Sequence, residues 1–435
     1  MDTKSGPALK ERFTRGMIWS FLAAVVFQGL NFLSGVVCAR ILGREDFGKY
    51  AILQTTIGAF GVFAGMGLGL TTVKYVAQFR IADPNRAGRI IGCTTAAAVM
   101  TGTIVSFVIW LVAPWLARNS LHAPALDGNI RTASFLVLFN ALSGTQSGAL
   151  AGLESFSSIA TVNLVGGTFG FCVLTSLVYF HGIDGAALGM VLSAFFVFAV
   201  NYFVLRRHCR LNGIVIHLRG AREEWHTAWS FSLPAFLSDL VISPVTWAAG
   251  TFLVRSPHGY EQMGVYSAAN QWRTALTFIP YVAGQVLIPL IASMRAGGDH
   301  KGLRSSLKMA IGFNSLCSSP LLICLVFFAH RVMSFYGPQF ADAYAVLYLT
   351  GLTGAIISVQ MPVGNFFAAC GHMWVGAVVN VGWAVVLLIS SWFLIQHGYG
   401  AWGLALAYLI AYSLQTLCTF WFAARFFPRE GFSRS

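Results

Sequence analysis

Apolar runs dominate this chain and leave little room for any fold outside a lipid bilayer. A helix that crosses about 30 Å of hydrocarbon needs about 20 mainly apolar residues. Helix is also the form that satisfies every backbone N–H and C=O inside one segment. Twelve such runs are present: 17–39, 50–73, 90–113, 132–152, 158–180 and 184–204, then 229–253, 263–292, 308–329, 340–368, 373–395 and 400–423. Hydrophobic residues make up 56% of the 435 positions and charged residues 10%, against about 25% charge in a soluble domain. The expected class is an all-α polytopic membrane protein with twelve transmembrane helices. The run 263–292 is overlong and holds Pro280 and Pro289, so a kink, tilt or break is expected in it. The run that opens at Met17 is too long for a signal-peptide core and reads as a retained first span.

The formal charge of +13 would suggest nucleic acid in a soluble chain. Here its distribution gives another cause. Twenty of the 28 Lys and Arg fall in one alternating set of connecting segments, seven in the opposite set, and Arg273 lies inside a span. Basic loops stay on the cytoplasmic side, so both termini are expected in the cytoplasm and no nucleic-acid partner is expected. The eight cysteines form no C-x-x-C pair and lie almost entirely within apolar runs, where they serve as small packing residues.

The chain also repeats itself. Glu45-Asp46-Phe47-Gly48-Lys49-Tyr50 is echoed 216 positions on by Glu261-Gln262-Met263-Gly264-Val265-Tyr266, and His181-Gly182 by His397-Gly398. Six spans per copy make the copies parallel: 1–204 is an N-terminal six-helix bundle, 205–228 a basic linker, and 229–435 a C-terminal six-helix bundle. Such repeats place the functional cleft between the halves. Small residues at one-turn spacing, Gly61, Gly65 and Gly69 and again Gly166 and Gly170, point to close helix packing.

Charges inside spans cost about 2.5–3.5 kcal/mol on insertion scales and demand a reason. Arg273 and Asp239 each lie ten residues into consecutive antiparallel spans, about 15 Å deep at 1.5 Å per residue. Two readings stand. They form a buried pair that locks two helices, or Arg273 faces a water-filled cavity and attracts an anion while Asp239 gates it or carries a coupling ion. The matching positions of the first half are Ala23 and Ile57, so the charges belong to one half alone. Lys74 either snorkels to the headgroups or lines the inner mouth of the cleft. Arg40 and Arg44 pose the same choice outside, with Glu45 and Asp46 as local partners. Amides within spans, Asn31 and Asn270 among them with Gln28, Asn140, Asn163, Gln271 and Asn380, suit sugar hydroxyls or helix–helix contacts.

No sizeable aqueous loop carries a cluster of carboxylates or bases, which argues against a membrane glycosyltransferase or polymerase. No filter loop or charged ring supports a channel. An enzyme is not expected, nor a cofactor or metal; an exporter reading calls for a coupling proton or sodium ion.

Ala39-Arg40-x-Leu42-Gly43-x-x-x-Phe47-Gly48-x-Tyr50, a Gly-rich second span ending near Lys74-Tyr75, and Gly264-x-Tyr266-Ser267-Ala268-Ala269 in span eight form a pattern over essentially the whole chain. It resembles the polysaccharide transport, or Wzx-type O-antigen flippase, family, in the superfamily that holds the multidrug and toxin extrusion exporters. The resemblance implies two parallel six-helix bundles in a bacterial cytoplasmic membrane. It implies movement of undecaprenyl-pyrophosphate-linked oligosaccharide for O-antigen, capsule or exopolysaccharide. Implied partners are that lipid-linked oligosaccharide, membrane lipids, and a polysaccharide polymerase with its chain-length machinery. A cationic cavity would suit the pyrophosphate, and Arg273 is where this sequence places such a charge. The other expectation is a cation-coupled multidrug or metabolite exporter of the same fold, with Asp239 as the coupling carboxylate.

Overall fold

The computed structural model describes residues 6–217, 240–296, 300–370 and 373–430. Asp239 and the rest of 218–239, which includes part of the expected linker and of the seventh span, lie outside the described residues. Among the described residues every regular element is helical. The helices are α1 (Gly6–Gly65), α2 (Leu68–Phe79), α3 (Pro84–Trp115), α4 (Asp127–Gly152) and α5 (Phe156–Leu211). They continue with α6 (Ile242–Val254), α7 (Gly259–Ala296), α8 (His300–Phe327), the short α9 (Ala329–Ser334), α10 (Tyr344–Ala369), α11 (Met373–Gln396) and α12 (Gly400–Glu430). Seven helices among the described residues are long and apolar enough to cross a membrane.

Glycine places the bends. Gly43, at φ 75°, bends α1, and Gly182, at φ 56°, bends α5. Its repeat partner Gly398 also sits at positive φ, 82°, a region open to glycine because it has no Cβ. The expected second span is not continuous. It breaks at Met66 and Gly67, with φ of 41° and 69°, before α2 begins. In contrast, α7 runs as one helix past both Pro280 and Pro289. Of the kink, tilt or break expected there, a break does not occur.

The chain divides into two compact units, one of residues 1–41 and 53–244, the other of 42–52 and 245–435. Within the first, α4 packs on α2, α3 and α5. Small residues fill the middle of the buried face of α3, where Ala97, Ala98, Thr101, Gly102 and Ser106 are buried. Ile104, Phe107, Leu111 and Trp115 of the same helix are exposed. Small residues at the helix contacts and large apolar ones on the outer face of this stretch suit a lipid surround. Hydroxyls join the helices: Thr101 Oγ1 donates to the Ala64 carbonyl at 2.8 Å, and Ser106 Oγ to the Ser134 carbonyl at 2.8 Å.

The glycine row has two fates. A Cβ on Gly69 would lie 3.0 Å from the Gly144 carbonyl oxygen, so that glycine supports close packing of α2 on α4. Gly61 and Gly65 have open space there and, with Gly58, Gln54 and Asn140, line a cavity of about 430 Å³. Gly166 packs on Val197 and Gly170 on Ser193, across the bend at Gly182.

In the second unit α10 is central, packing on α7, α8 and α12, while α11 packs chiefly on α12. Asn314 Nδ2 donates to the Ser358 carbonyl at 2.9 Å and Thr350 Oγ1 to the Ala269 carbonyl at 3.2 Å. The corner 42–52 belongs to this unit although the chain on either side of it belongs to the other. Its two repeated glycines meet. A Cβ on Gly48 would lie 2.9 Å from the Gly264 nitrogen, and one on Gly264 would lie 3.2 Å from the Gly48 nitrogen. Phe47, 2% exposed, seats this crossing against fully buried Phe340, ring centroids 6.3 Å apart.

Candidate functional site

The start of α7 sets the geometry around Arg273. His258, at φ 53°, turns the chain into the helix, and Glu261 in its first turn suits the positive end of the helix dipole. Gln262 Oε1 accepts from the Ala401 N–H at 3.0 Å, satisfying one of the donors that the first turn of α12 would otherwise leave free. That bond fixes α12 beside α7. Tyr266, one turn further on, stacks on Tyr408 of α12 at 5.7 Å.

Two turns below Tyr266, Arg273 comes off the same helix. Its Nε donates to Asn270 Oδ1 at 2.6 Å. Its guanidinium carbon lies 5.4 Å from the Tyr408 ring centroid and 6.0 Å from that of Tyr412. Trp383 of α11 backs this wall, 5.4 Å from Tyr412. Tyr266, Tyr408 and Trp383 are buried, at 5%, 3% and 3% exposure, while Arg273 itself is half-buried. Among the described residues no carboxylate lies within ion-pair distance of Arg273.

A cation–π contact contributes about 0.5–1 kcal/mol when exposed and about 2 when desolvated. Two such contacts and the neutral partners Asn270 and Tyr412 orient the guanidinium and ease its burial, and none of these groups carries a charge. The planar fork of a guanidinium matches phosphate and carboxylate oxygens.

The structure brings Arg273 and Asn270 together in the second unit; Asn31, Arg40 and Lys74 belong to the first unit, and Asp239 lies outside the described residues. Asn31 is exposed on α1 and donates to its own helix at the Phe27 carbonyl, 3.1 Å. Lys74 is exposed on α2 with its Nζ 5.0 Å from the ring of Tyr75. Arg40 is exposed on α1, one turn before the bend at Gly43. The pairing expected within the corner is different. Glu45 and Asp46 both hold Lys49, at 2.9 and 2.8 Å, while Arg44 reaches Asp342 at 3.0 Å and lies 5.8 Å from the Phe340 ring. A lysine three and four residues on shares their helix face, so it captures both carboxylates.

Other amides hold helices together. Gln415 Nε2 donates to Asn380 Oδ1 at 2.9 Å, and Gln360 bridges Thr416 and Thr419 at 2.9 and 3.1 Å. Gln271 accepts from the Tyr336 hydroxyl at 3.2 Å. Among the described residues no three His, Cys, Asp or Glu side chains converge as a metal site. The residues missed from sequence are Tyr408, Tyr412 and Trp383. Their signal was present as Tyr408 and Tyr412 one turn apart in an otherwise apolar span, the spacing that puts two rings on one helix face.

The comparisons with known proteins agree with this frame. The model of the polysaccharide biosynthesis protein family matches residues 13–295. The EPS I polysaccharide export inner membrane protein EpsE of Ralstonia solanacearum is 21% identical over 90% of this chain and 88% of its own. The lipid III flippase of Escherichia coli K12 is 22% identical over 92% and 95%. A multidrug resistance MATE family transporter of the MOP superfamily, solved in an inward-facing conformation, superposes with a TM-score of 0.79 at 15% identity. That match covers 95% of this chain and all of the other. These relatives are named as export proteins, flippases and transporters rather than as enzymes. The chain belongs to the polysaccharide biosynthesis protein family and carries the fold of the MOP-superfamily transporters.

Proposed function

We propose that this protein is a flippase that moves undecaprenyl-pyrophosphate-linked oligosaccharide units across the bacterial cytoplasmic membrane for polysaccharide synthesis, by alternating access. The observation that carries this reading is Arg273. It is an oriented cation without a carboxylate partner among the described residues, set against a wall of tyrosines in a family devoted to polysaccharide. A pyrophosphate would offer it a charge that no described residue supplies. The names of the relatives, a polysaccharide export protein and a lipid III flippase, support the class of cargo.

The reading includes twelve crossings. At 1.5 Å per residue, the 60 residues of α1 and the 56 of α5 run to about 90 and 84 Å, against about 30 Å for one crossing. Each is therefore taken as two spans joined at Gly43 and Gly182. It also includes parallel halves at 1–204 and 229–435, a linker at 205–228 and both termini in the cytoplasm. Lys74, Arg40, Asn31 and Asp239 are kept as candidates for contact with the cargo or with a coupling proton or sodium ion.

The test is complementation of a deletion strain. Arg273→Ala is expected to reach the membrane at normal levels and to abolish surface polysaccharide. Normal polysaccharide from that variant overturns the site. A deletion strain that is drug-sensitive but makes normal polysaccharide overturns the cargo in favour of a cation-coupled exporter.

A further inference from the structure

The last two turns of α5 carry a charged face that transport by Arg273 leaves unexplained. Beyond the bend at Gly182, α5 continues from Ile183 to Leu211. These 29 residues span about 43 Å at 1.5 Å per residue, and hydrocarbon accounts for about 30 Å. With the bend at Gly182 taken as the far face of the membrane, as the proposed twelve crossings require, the end of the helix reaches the headgroup layer.

That end is rigidly mounted. Leu205 and Cys209 are buried in a cluster with Val76, Ala87, Ile90 and Leu150. His208 is held by two serines, Nδ1 to Ser155 Oγ at 3.0 Å and Nε2 to Ser158 Oγ at 2.7 Å. The opposite face, on which Phe203, Arg207 and Arg210 follow each other at helical spacing, is exposed with Arg206 beside it. None of the three arginines makes an ion pair among the described residues. Arg206 lies over the ring of Tyr202 at 4.9 Å. Phe203 and Leu211, 70% and 72% exposed, flank the guanidiniums, and the five side chains Phe203, Arg206, Arg207, Arg210 and Leu211 line a recess of about 340 Å³.

We infer that this recess binds the headgroup of an anionic phospholipid, the phosphate on Arg207 and Arg210 and the acyl chains along Phe203. Three features select that occupant. The charge is concentrated on one face of a pinned helix, the depth is that of lipid phosphates, and the aromatic Tyr202 and Phe203 sit on the hydrocarbon side of the arginines, as in an interfacial belt. Arginine holds phosphate through two parallel N–H donors, which distinguishes such a site from a diffuse basic surface. The assignment is independent of the cargo at Arg273.

The experiment is native mass spectrometry of the purified full chain with phosphatidylglycerol or phosphatidylcholine of matched acyl chains. An arginine at an anionic lipid surface contributes about a fivefold gain in binding. Wild type should retain one phosphatidylglycerol about 25-fold more tightly than Arg207→Gln/Arg210→Gln, with phosphatidylcholine held weakly by both. Equal retention of phosphatidylglycerol by the two proteins, or of both lipids by wild type, overturns the inference. Should the double variant fail to fold, Arg210→Gln alone is read, where a loss of about fivefold supports the site and no loss overturns it. Undecaprenyl pyrophosphate is the competing occupant. If it displaces phosphatidylglycerol and its own binding falls in the same variants, the recess belongs to the carrier lipid and the phospholipid assignment fails.

Discussion

Gly264→Ala probes the point at which the two repeated corners touch. The new methyl would fall inside the contact radius of the Arg44 carbonyl oxygen and 3.2 Å from the Gly48 nitrogen. Both obstacles are main chain, so no side-chain rotation relieves them. The helices must part by about an ångström, which loosens the contacts of Phe47, Met263 and Phe340, each at most 3% exposed. Overpacking of this kind costs about 1–3 kcal/mol, and an immovable backbone puts it near the top of that range. Alanine recovers about 1 kcal/mol as the better helix former, leaving a net loss of about 2 kcal/mol. Gly61→Ala is the control, because nothing lies within 4 Å of its added Cβ. It should leave stability unchanged or raise it by up to about 1 kcal/mol. Unfolding midpoints of the detergent-solubilised variants in sodium dodecyl sulfate or heat measure the difference. Equal midpoints for Gly264→Ala and wild type would refute the crossing at Gly48 and Gly264.

Two other outcomes follow from the ends of the helices. Asp342 is 80% exposed beside a partly exposed Arg44, so Asp342→Asn should cost less than about 1 kcal/mol. The exchanged pair Arg44→Asp/Asp342→Arg should recover that loss in the same unfolding assay. His208 follows the expected end of the sixth span at 204, and burial and then neighbouring Arg207 hold its imidazole below the ordinary value of 6.5. The unfolded chain then binds a proton more readily than the folded one, so stability should fall as pH drops below about 6.5. His208→Gln should flatten that part of the profile between pH 8 and 5, and an unchanged slope would assign it to another group.

The helical class was legible because an apolar run of about 20 residues has few alternatives in a bilayer. The repeat was equally legible as matched residues, and the structure adds that Gly48 meets Gly264 and that Gly182 and Gly398 both take positive φ. What the sequence hid was distance. Arg44 has two carboxylates beside it in the chain, yet its partner Asp342 is 298 residues away, because helical spacing commits Glu45 and Asp46 to Lys49. The run Gly65-Met66-Gly67-Leu68-Gly69 reads as packing but contains a helix break, since a glycine that permits close approach also permits positive φ. Arg273 was legible as a charge in an apolar span. Its tyrosine wall was not, because Tyr408 and Tyr412 reach it from α12, more than 130 residues on.

The central claim is that Arg273 serves movement of a pyrophosphate-linked saccharide. Purified protein in liposomes loaded with fluorescent undecaprenyl-pyrophosphate-linked oligosaccharide tests it directly, by the fraction of label that becomes accessible to an external quencher. Wild type should move the lipid from leaflet to leaflet, and Arg273→Ala, reconstituted to the same density, should reduce the rate to that of empty liposomes. Equal rates for the two proteins would contradict the account.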